Sequence, residues 1–345
     1  MKKSRLGALA AGLVLGHAAS ANDLIWRQLP PLPDAWGVAS PFVGIAGDML
    51  FVAGGANFSD RPLGEGGAKV WHQEIYRLEP ADREWKTAGR LPRPLAYGIS
   101  ISTDDGLMCI GGSNSEKHFA DTFLLKWEKS GLIVQDLPPL PRPLAMAAGS
   151  RLGDIVYVAG GLETPGSSEP LTSFLAFDLK NPQAGWKELP TWPGPGRSQA
   201  VAAVMDGCFY LFSGLRPGMV NGKKGLLYLQ DAYRYSPDTG WEKLTDLPFA
   251  AAAAASPAPA DTNGIYLVGG VDGSGAGKAP NEYFHVPQRI QYYVPSAKAW
   301  HEVGNAPVGR VCVSTALWQG AWVLPSGERS PGIRSPEVWS LRLAE

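Results

Sequence analysis

A β-like run that ends in two small residues occurs six times along the chain, and this repetition limits the fold more than any other feature. The runs are "MLFVAGG" ending at Gly55, "LMCIGG" at Gly112, "IVYVAGG" at Gly161, "FYLFSG" at Gly214, "IYLVGG" at Gly270 and "AWVLPSG" at Gly327, with successive spacings of 57, 49, 53, 56 and 57 residues. A second signal is phased to the first: a Trp-led strand running toward Leu-Pro or a similar end. It reads "WRQLP" at Trp26, "WKTAGRLP" at Trp85, "WKELP" at Trp186, "WEKLTDLP" at Trp241 and "WHEVGNAP" at Trp300, while the remaining unit has "LIVQDLP" at Leu132 without its Trp. A third, often aromatic strand lies between them: "EIYRLEP", "TFLLKW", "FLAFDL", "AYRYSP", "IQYYVP" and "VWSLRL". A repeat of about fifty residues built from short strands cannot bury both faces of its sheet alone and must stack on neighbours.

That period, with Gly-Gly, an aromatic strand and Trp, is the kelch pattern, and it predicts an all-β, six-bladed β-propeller. The ends of the chain fit the same plan. The first Trp strand, "LIWRQLP", and the last strand, "VWSLRL", are orphans that together complete the sixth blade. Such pairing closes the ring through backbone hydrogen bonds and removes an open sheet edge. Call the strands of a blade a to d from the axis outward. Antiparallel alternation then sends the b–c loops and the d–a connections to one mouth of the central channel, where propeller pockets sit.

The 345 residues carry a net charge of −1, which argues against a phosphate-tracking surface and a nucleic-acid partner. Gly (42) and Pro (30) are abundant, and long amphipathic helical patterns are hard to find. Lys2, Lys3 and Arg5, an apolar run from Leu6 to Leu15, and the small-x-small triplet Ala19-Ser20-Ala21 read as a secretory signal over residues 1–21. The run is too short for a stable membrane anchor. The expectation is an exported propeller domain over residues 22–345, periplasmic in a Gram-negative bacterium and free of the membrane after cleavage. Cys109, Cys208 and Cys312 sit in apolar strand patterns and form neither a disulfide framework nor a metal site. No HxH or HxxxH spacing occurs, and "GGVDGSGAGKAP" lacks the Ser/Thr and helix of a phosphate loop. No metal and no cofactor are implied.

Four d–a connections place an Arg shortly before strand a: Arg93, Arg142, Arg197 and Arg310. A partial ring of guanidiniums suits an anionic ligand, because Arg grips a carboxylate with two parallel hydrogen bonds. The same residues also read as ties between blades. The b–c loops supply Asn57, then Glu65 and Lys69, then Asn114 to His118, and finally Glu328 and Arg334 in "SGERSPGIRS". Each has a bland alternative: Asn57 as a cap of its own turn, Glu65 with Lys69 as a solvated pair, His118 as a packing residue, and Glu328 with Arg334 as a loop-stabilising ion pair. The Ala-rich run before Pro257 reads as packing filler in strand a of blade 5. The 281–293 segment "NEYFHVPQRIQYY" reads as a lid or a plain outer loop.

The segments "GGANF", "AYGIS", "IGGSNSE", "LFSG" and above all "SGERSPGIRS" resemble the kelch-type sialic acid mutarotases, the N-acetylneuraminate epimerases. In the usual family order the "GE…PG.R" segment precedes "GGA.F"; here it comes last, so the chain resembles the cyclically permuted subgroup. The resemblance implies interconversion of the α and β anomers of N-acetylneuraminate or a related acidic sugar, without a cofactor. It implies Glu328 as proton acceptor with Arg334 as companion; Arg197 and Gln199 in "GRSQA" are similar to the family's Gly-Pro-Arg-x-Gln-Ala segment, and Glu65 and Lys69 match positions in its long first loop. One departure is plain: the family Arg just before "AYG" is Leu95 here, and the nearest Arg is Arg93, across Pro94. A non-catalytic propeller that binds an anionic glycan or a protein stays open, as does mutarotation of another acidic sugar. A sialidase-like hydrolase fits poorly, because "SPDTGW" is a short and single echo of its Asp-box.

Overall fold

The computed structural model describes residues 24–220, 222–275 and 286–343. The leader read over residues 1–21 and residues 281–285 of the segment read as a lid or outer loop lie outside them, while residues 289–293 of that segment form part of a largely buried strand, Arg289–Val294, and neither a lid nor an outer loop. Six blades follow one another. Blade 1 is Phe42–Ala46, Met49–Ala53, Glu74–Leu78 and Lys86–Arg90; blade 2 is Ile99–Thr103, Gly106–Ile110, Thr122–Glu128 and Gly131–Leu137. Blade 3 is Ala148–Leu152, Ile155–Ala159, Phe174–Asp178 and Trp186–Leu189; blade 4 is Val201–Met205, Cys208–Phe212, Ala232–Ser236 and Gly240–Lys243. Blade 5 holds Ile265–Val268, Arg289–Val294 and Ala299–Asn305. Blade 6 joins Ala316–Trp318, Ala321–Pro325 and Val338–Leu343 to the first strand of the chain, Leu24–Leu29. That closing strand runs antiparallel to the last one, from Leu24 opposite Leu343 to Leu29 opposite Val338. The six-bladed, ring-closed propeller read from the repeats is the architecture found.

The core consists of seams between blades. Strand b is buried along its whole length in "MLFVA", "GLMCI" and "CFYLF". Side chains alternate across a strand, so each strand b serves two seams. In blade 1, Leu50 and Val52 pack toward Trp318 and Val323 of blade 6, whereas Phe51 and Ala53 pack toward Leu107 and Cys109 of blade 2. The phased Trp and Leu-Pro signals are one device. The Trp85 indole donates to the Pro30 carbonyl (2.8 Å), Trp186 to Pro138 (3.2 Å) and Trp241 to Pro190 (2.9 Å), each reaching from strand d to the end of the preceding blade's strand d. Blade 2 lacks this Trp, and its Leu132 instead packs against Gly89 of blade 1, where a side chain would lie 2.8 Å from the Leu132 methyl.

Blade 5 departs from the plan. Its inner position is occupied by the Ala250–Ala260 run, which is buried but forms no regular strand, touching the sheet through an Ala260–Ile265 bridge and a bond from Tyr266 N to Pro259 O. Pro257 and Pro259 supply no N–H, so a continuous ladder is impossible there. A second departure is the b–c segment of blade 4, which folds into a two-stranded ribbon, Leu215–Val220 against Lys223–Tyr228.

A closed backbone ring surrounds the axis. In every d–a connection one residue adopts the left-handed conformation: Ser40, Tyr97, Met146, Gln199, Ala253 and Cys312, with φ between 47° and 61°. The N–H of each donates to the carbonyl of its predecessor around the wheel: Tyr97 to Ser40, Met146 to Tyr97, Gln199 to Met146, Ala253 to Gln199, Cys312 to Ala253 and Ser40 to Cys312, all at 2.7–3.0 Å. Left-handed backbone costs an L-residue about 1–2 kcal/mol, and the hydrogen bond that it completes offsets this. Truncating the chain to begin at Pro30 leaves blade 6 with three strands. The expected result is a loss of at least ~3 kcal/mol of unfolding free energy, given the apolar area that Leu24 and Trp26 bury. Urea denaturation checks it, and an unchanged midpoint contradicts it.

Candidate active site

The residue before each ring residue pairs with the residue that follows the small pair ending strand b. The six bridges are Ala39–Ala56, Ala96–Ser113, Ala145–Leu162, Ser198–Leu215, Ala252–Val271 and Val311–Glu328. Five partners are small or apolar, and the sixth is a carboxylate. Fold requirements do not explain Glu328, because Ala, Ser, Leu and Val all satisfy the same bridge. Two backbone bonds to Val311, 2.9 and 3.0 Å, pin it at the mouth face of the ring. Gly327 before it has φ +99°, and a side chain there would meet Val313 at 2.5 Å, so only Gly lets the loop approach this closely.

The loop then folds into a minimal ribbon, Glu328–Ser330 against Ile333–Arg334, turned by Pro331-Gly332. Glu328 and Arg334 are register partners, and their side chains form an ion pair at 2.9 Å. The Gly332 N–H donates to the other carboxylate oxygen at 3.3 Å. Burial pushes the Glu328 carboxyl above its ordinary range, and Arg334, the Gly332 N–H and Lys69 act against that rise. Arg334 is buried, with its guanidinium 4.7 Å over the Phe58 ring, and its Nε and Nη1 have no hydrogen-bond partner among the described residues. Among the described residues the other buried arginine nitrogens without a partner are all Nε, and Arg334 also bears on the Tyr97 phenol.

Lys69 enters the same mouth from the long b–c loop of blade 1. Its Nζ lies 4.2 Å from the Tyr97 ring centroid and 5.1 Å from that of Trp71, with no ion-pair partner among the described residues. Burial and then Arg334 lower its pKa, while Cys312 and Glu328 act to raise it. Tyr97 is buried in the left-handed conformation, and burial drives its phenol far above the ordinary value, so it stays a neutral donor. Burial likewise raises the Cys312 thiol to about 11. Gln199 completes the floor, its Nε2 4.0 Å from the Cys312 sulfur. Beneath the ring the axial cavity is about 70 Å³. It is lined by the ring residues Tyr97, Gln199 and Cys312 together with the start of the inner strands.

The structure therefore gathers Glu328, Arg334, Lys69 and Gln199, and adds Tyr97, Cys312, Phe58 and Trp71. The four d–a arginines form no ring around this cluster; each ties its connection to the blade it enters. Arg197 is fully buried and holds Asp231 with both terminal nitrogens (2.9 and 2.7 Å) and the Ser213 carbonyl at 2.9 Å. Arg310 makes the equivalent tie to Glu337 (2.5 Å) and the Ser326 carbonyl (2.7 Å). Arg93 pairs with Asp121 at 2.7 Å and Arg142 with Glu188 at 2.8 Å, both half-exposed at the periphery. Asn57 is buried and occupied by the Gly37 carbonyl, Asp34 and His72, which locks the loop. Glu65 is exposed on a short 3-10 turn, Leu63–Glu65, whose Leu63 packs against Gly332 of the ribbon. His118 gives its Nδ1 to the Leu162 carbonyl at 3.0 Å. Tyr97 carried one usable sequence signal: a bulky aromatic where the other ring positions hold Ser, Met, Gln, Ala and Cys.

The structure is thus a kelch-type wheel with a part-buried carboxylate–guanidinium pair and a second cation on one mouth. The chain belongs to the N-acetylneuraminate epimerase family, whose model matches residues 8–134 and 137–276. It is similar to the N-acetylneuraminate epimerase of Haemophilus influenzae (strain 86-028NP), at 33% identity over 59% of this chain and 58% of that protein. Its likeness to the Pasteurella multocida (strain Pm70) protein of the same name is 33% over 58% and 57%, respectively. The matched part thus spans less than three fifths of these relatives' length, and the C-terminal strands of blade 6, with Glu328, lie beyond the family-model match. The solved structure of YjhT aligns with a TM-score of 0.68, 17% identity, 90% coverage of this chain and 95% of that one, which shows the same fold.

If the arginine ties are structural, Arg197→Met strands the Asp231 carboxylate and destabilises by ~3–5 kcal/mol, yet leaves turnover of the folded protein within about twofold of wild type. Denaturant unfolding and activity per folded molecule check the two halves. A large loss of turnover at unchanged stability contradicts it.

Proposed function

We propose that this chain interconverts the α and β anomers of N-acetylneuraminate or a closely related acidic sugar. The observation that carries the reading is Glu328: a carboxylate at a repeat position that is otherwise Ala, Ser or apolar, ion-paired to Arg334 on the floor of the mouth. Membership of the epimerase family supports the same chemistry.

Anomer exchange needs no redox partner. The O2 proton leaves, the bond from C2 to the ring oxygen breaks, and that oxygen gains a proton. The open ketone turns about the C2–C3 bond and recloses from its other face. Glu328 takes the O2 proton, and Arg334 favours the ionised form that a base requires. The charges fit the substrate: Arg334 and Lys69 against Glu328 leave one positive charge, which the sugar's carboxylate balances. The open Nη1 of Arg334 is the donor that carboxylate meets. Holding the acid group fixes which face of C2 lies over Glu328. The late placement of blade 6 fits a permuted blade order, since ring closure still sets its loop beside the Lys69 loop. The leader over residues 1–21 supports export, to the periplasm in a Gram-negative cell.

Saturation-transfer NMR on N-acetylneuraminate tests this. Wild type accelerates α/β exchange, and Glu328→Gln loses roughly 10²–10⁴ of that rate. The wild-type rate falls with acidity as Glu328 protonates, and burial places that limb above the ordinary carboxylate value of 4.5. Exchange that is not accelerated leaves a binding propeller, and full activity of Glu328→Gln removes the Glu from the mechanism.

A further inference from the structure

Ring opening moves two protons at one carbon: one leaves O2 while another reaches the ring oxygen. An ionised carboxylate acting alone takes the first proton before it can return one, which passes through a charged intermediate. An acid beside the base permits both transfers in one step. We infer that Lys69 is the second catalytic group, the proton donor to the ring oxygen, acting opposite Glu328. This assignment rests on the anomer-exchange reading above.

Three observations carry it. First, Lys69 is held without a carboxylate: its ammonium lies over the faces of Tyr97 and Trp71, which hold a cation but leave its N–H bonds open to an incoming oxygen. Second, Lys69 and Glu328 come from b–c loops of adjacent blades that pack on each other, Arg334 over Phe58 and Gly332 against Leu63, and each group bears on the other's ionisation. Acid and base on separate loops can address two oxygens of one carbon. Third, the neighbouring protons are less suitable. Arg334 does not give up its proton in a protein, and burial makes the Tyr97 phenol and the Cys312 thiol weaker acids than usual. Lys69 is shifted the other way, toward neutrality, as Glu328 rises to meet it. In the balanced step, Glu328 accepts the O2 proton, the C2–oxygen bond breaks and Lys69 protonates the departing oxygen. Closure runs the same transfers backwards and returns both groups to their starting states.

The test uses Lys69→Arg and Lys69→Met in the full mature chain, with thermal unfolding to confirm both fold. Arg keeps the charge but cannot donate at neutral pH. The expected result for Lys69→Arg is a KM within about threefold of wild type with kcat down roughly 10²–10³. The alkaline fall of kcat, set by Lys69 among Arg334, Glu328, Cys312 and Tyr97, should also vanish. Lys69→Met should lose at least as much kcat. If Lys69→Arg keeps kcat within about threefold while Lys69→Met raises KM, the residue only holds the sugar's carboxylate and the inference is overturned. An alkaline limb unchanged in Lys69→Arg overturns it as well. Wild type without accelerated exchange is a different failure, that of the anomer-exchange reading itself.

Discussion

Six backbone hydrogen bonds joined head to tail around the axis hold the mouth of this protein together. Each links one d–a connection to the next, and each requires a left-handed residue in a chain of L-amino acids. The ring works only as a closed set, because every donor's acceptor belongs to the neighbouring blade. Its closure depends in turn on the first strand of the chain pairing with the last. The ring turns six similar units into a floor with fixed geometry, and the bridges beside it fix where each b–c loop begins. A side chain at such a position is placed by the whole wheel, so a short loop can present a carboxylate without a helix or a metal to hold it.

Glu328 makes use of this placement. The ladder that fixes its backbone is shared with five uncharged residues, so the fold does not need the charge. The pairing across the "ERSPGIR" ribbon then sets Arg334 opposite it in register. Burial and ion pairing oppose each other at this carboxylate: one favours the protonated form, the other the ionised form. A balance of this kind suits a group that must both take and return a proton. Lys69 lies under the same opposition with the signs reversed.

The wheel was legible because it is written six times. Strand b, strand c and the Trp-led strand d each recur in phase, and the orphan strands at the two ends found their common blade. Glu328 and Arg334 were legible through their resemblance to a family segment. The four arginines read ambiguously for a physical reason: a guanidinium before strand a serves equally for a ligand and for a carboxylate at the start of strand c or on strand d of the blade it enters. Only coordinates show that Asp121, Glu188, Asp231 and Glu337 claim them. The left-handed ring was not legible, because five side-chain types besides Tyr occupy it and none is the Gly that marks such backbone. Blade 5 hid its irregular inner edge in an alanine run that looks like a strand until Pro257 and Pro259 are counted. Tyr97 and Trp71 became site residues only once Lys69 was seen lying over both rings.

The central claim is spatial: an acidic sugar sits on the ring floor with its anomeric carbon between Glu328 and Lys69 and its carboxylate on Arg334. A crystal structure of the Glu328→Gln chain soaked with N-acetylneuraminate measures this directly. The account predicts the anomeric oxygen within ~3 Å of the residue 328 side chain, the ring oxygen facing Lys69 and the carboxylate at Nη1 of Arg334. Sugar bound instead in the open pocket lined by Arg93, Lys117 and His118, with the ring floor empty, would contradict it.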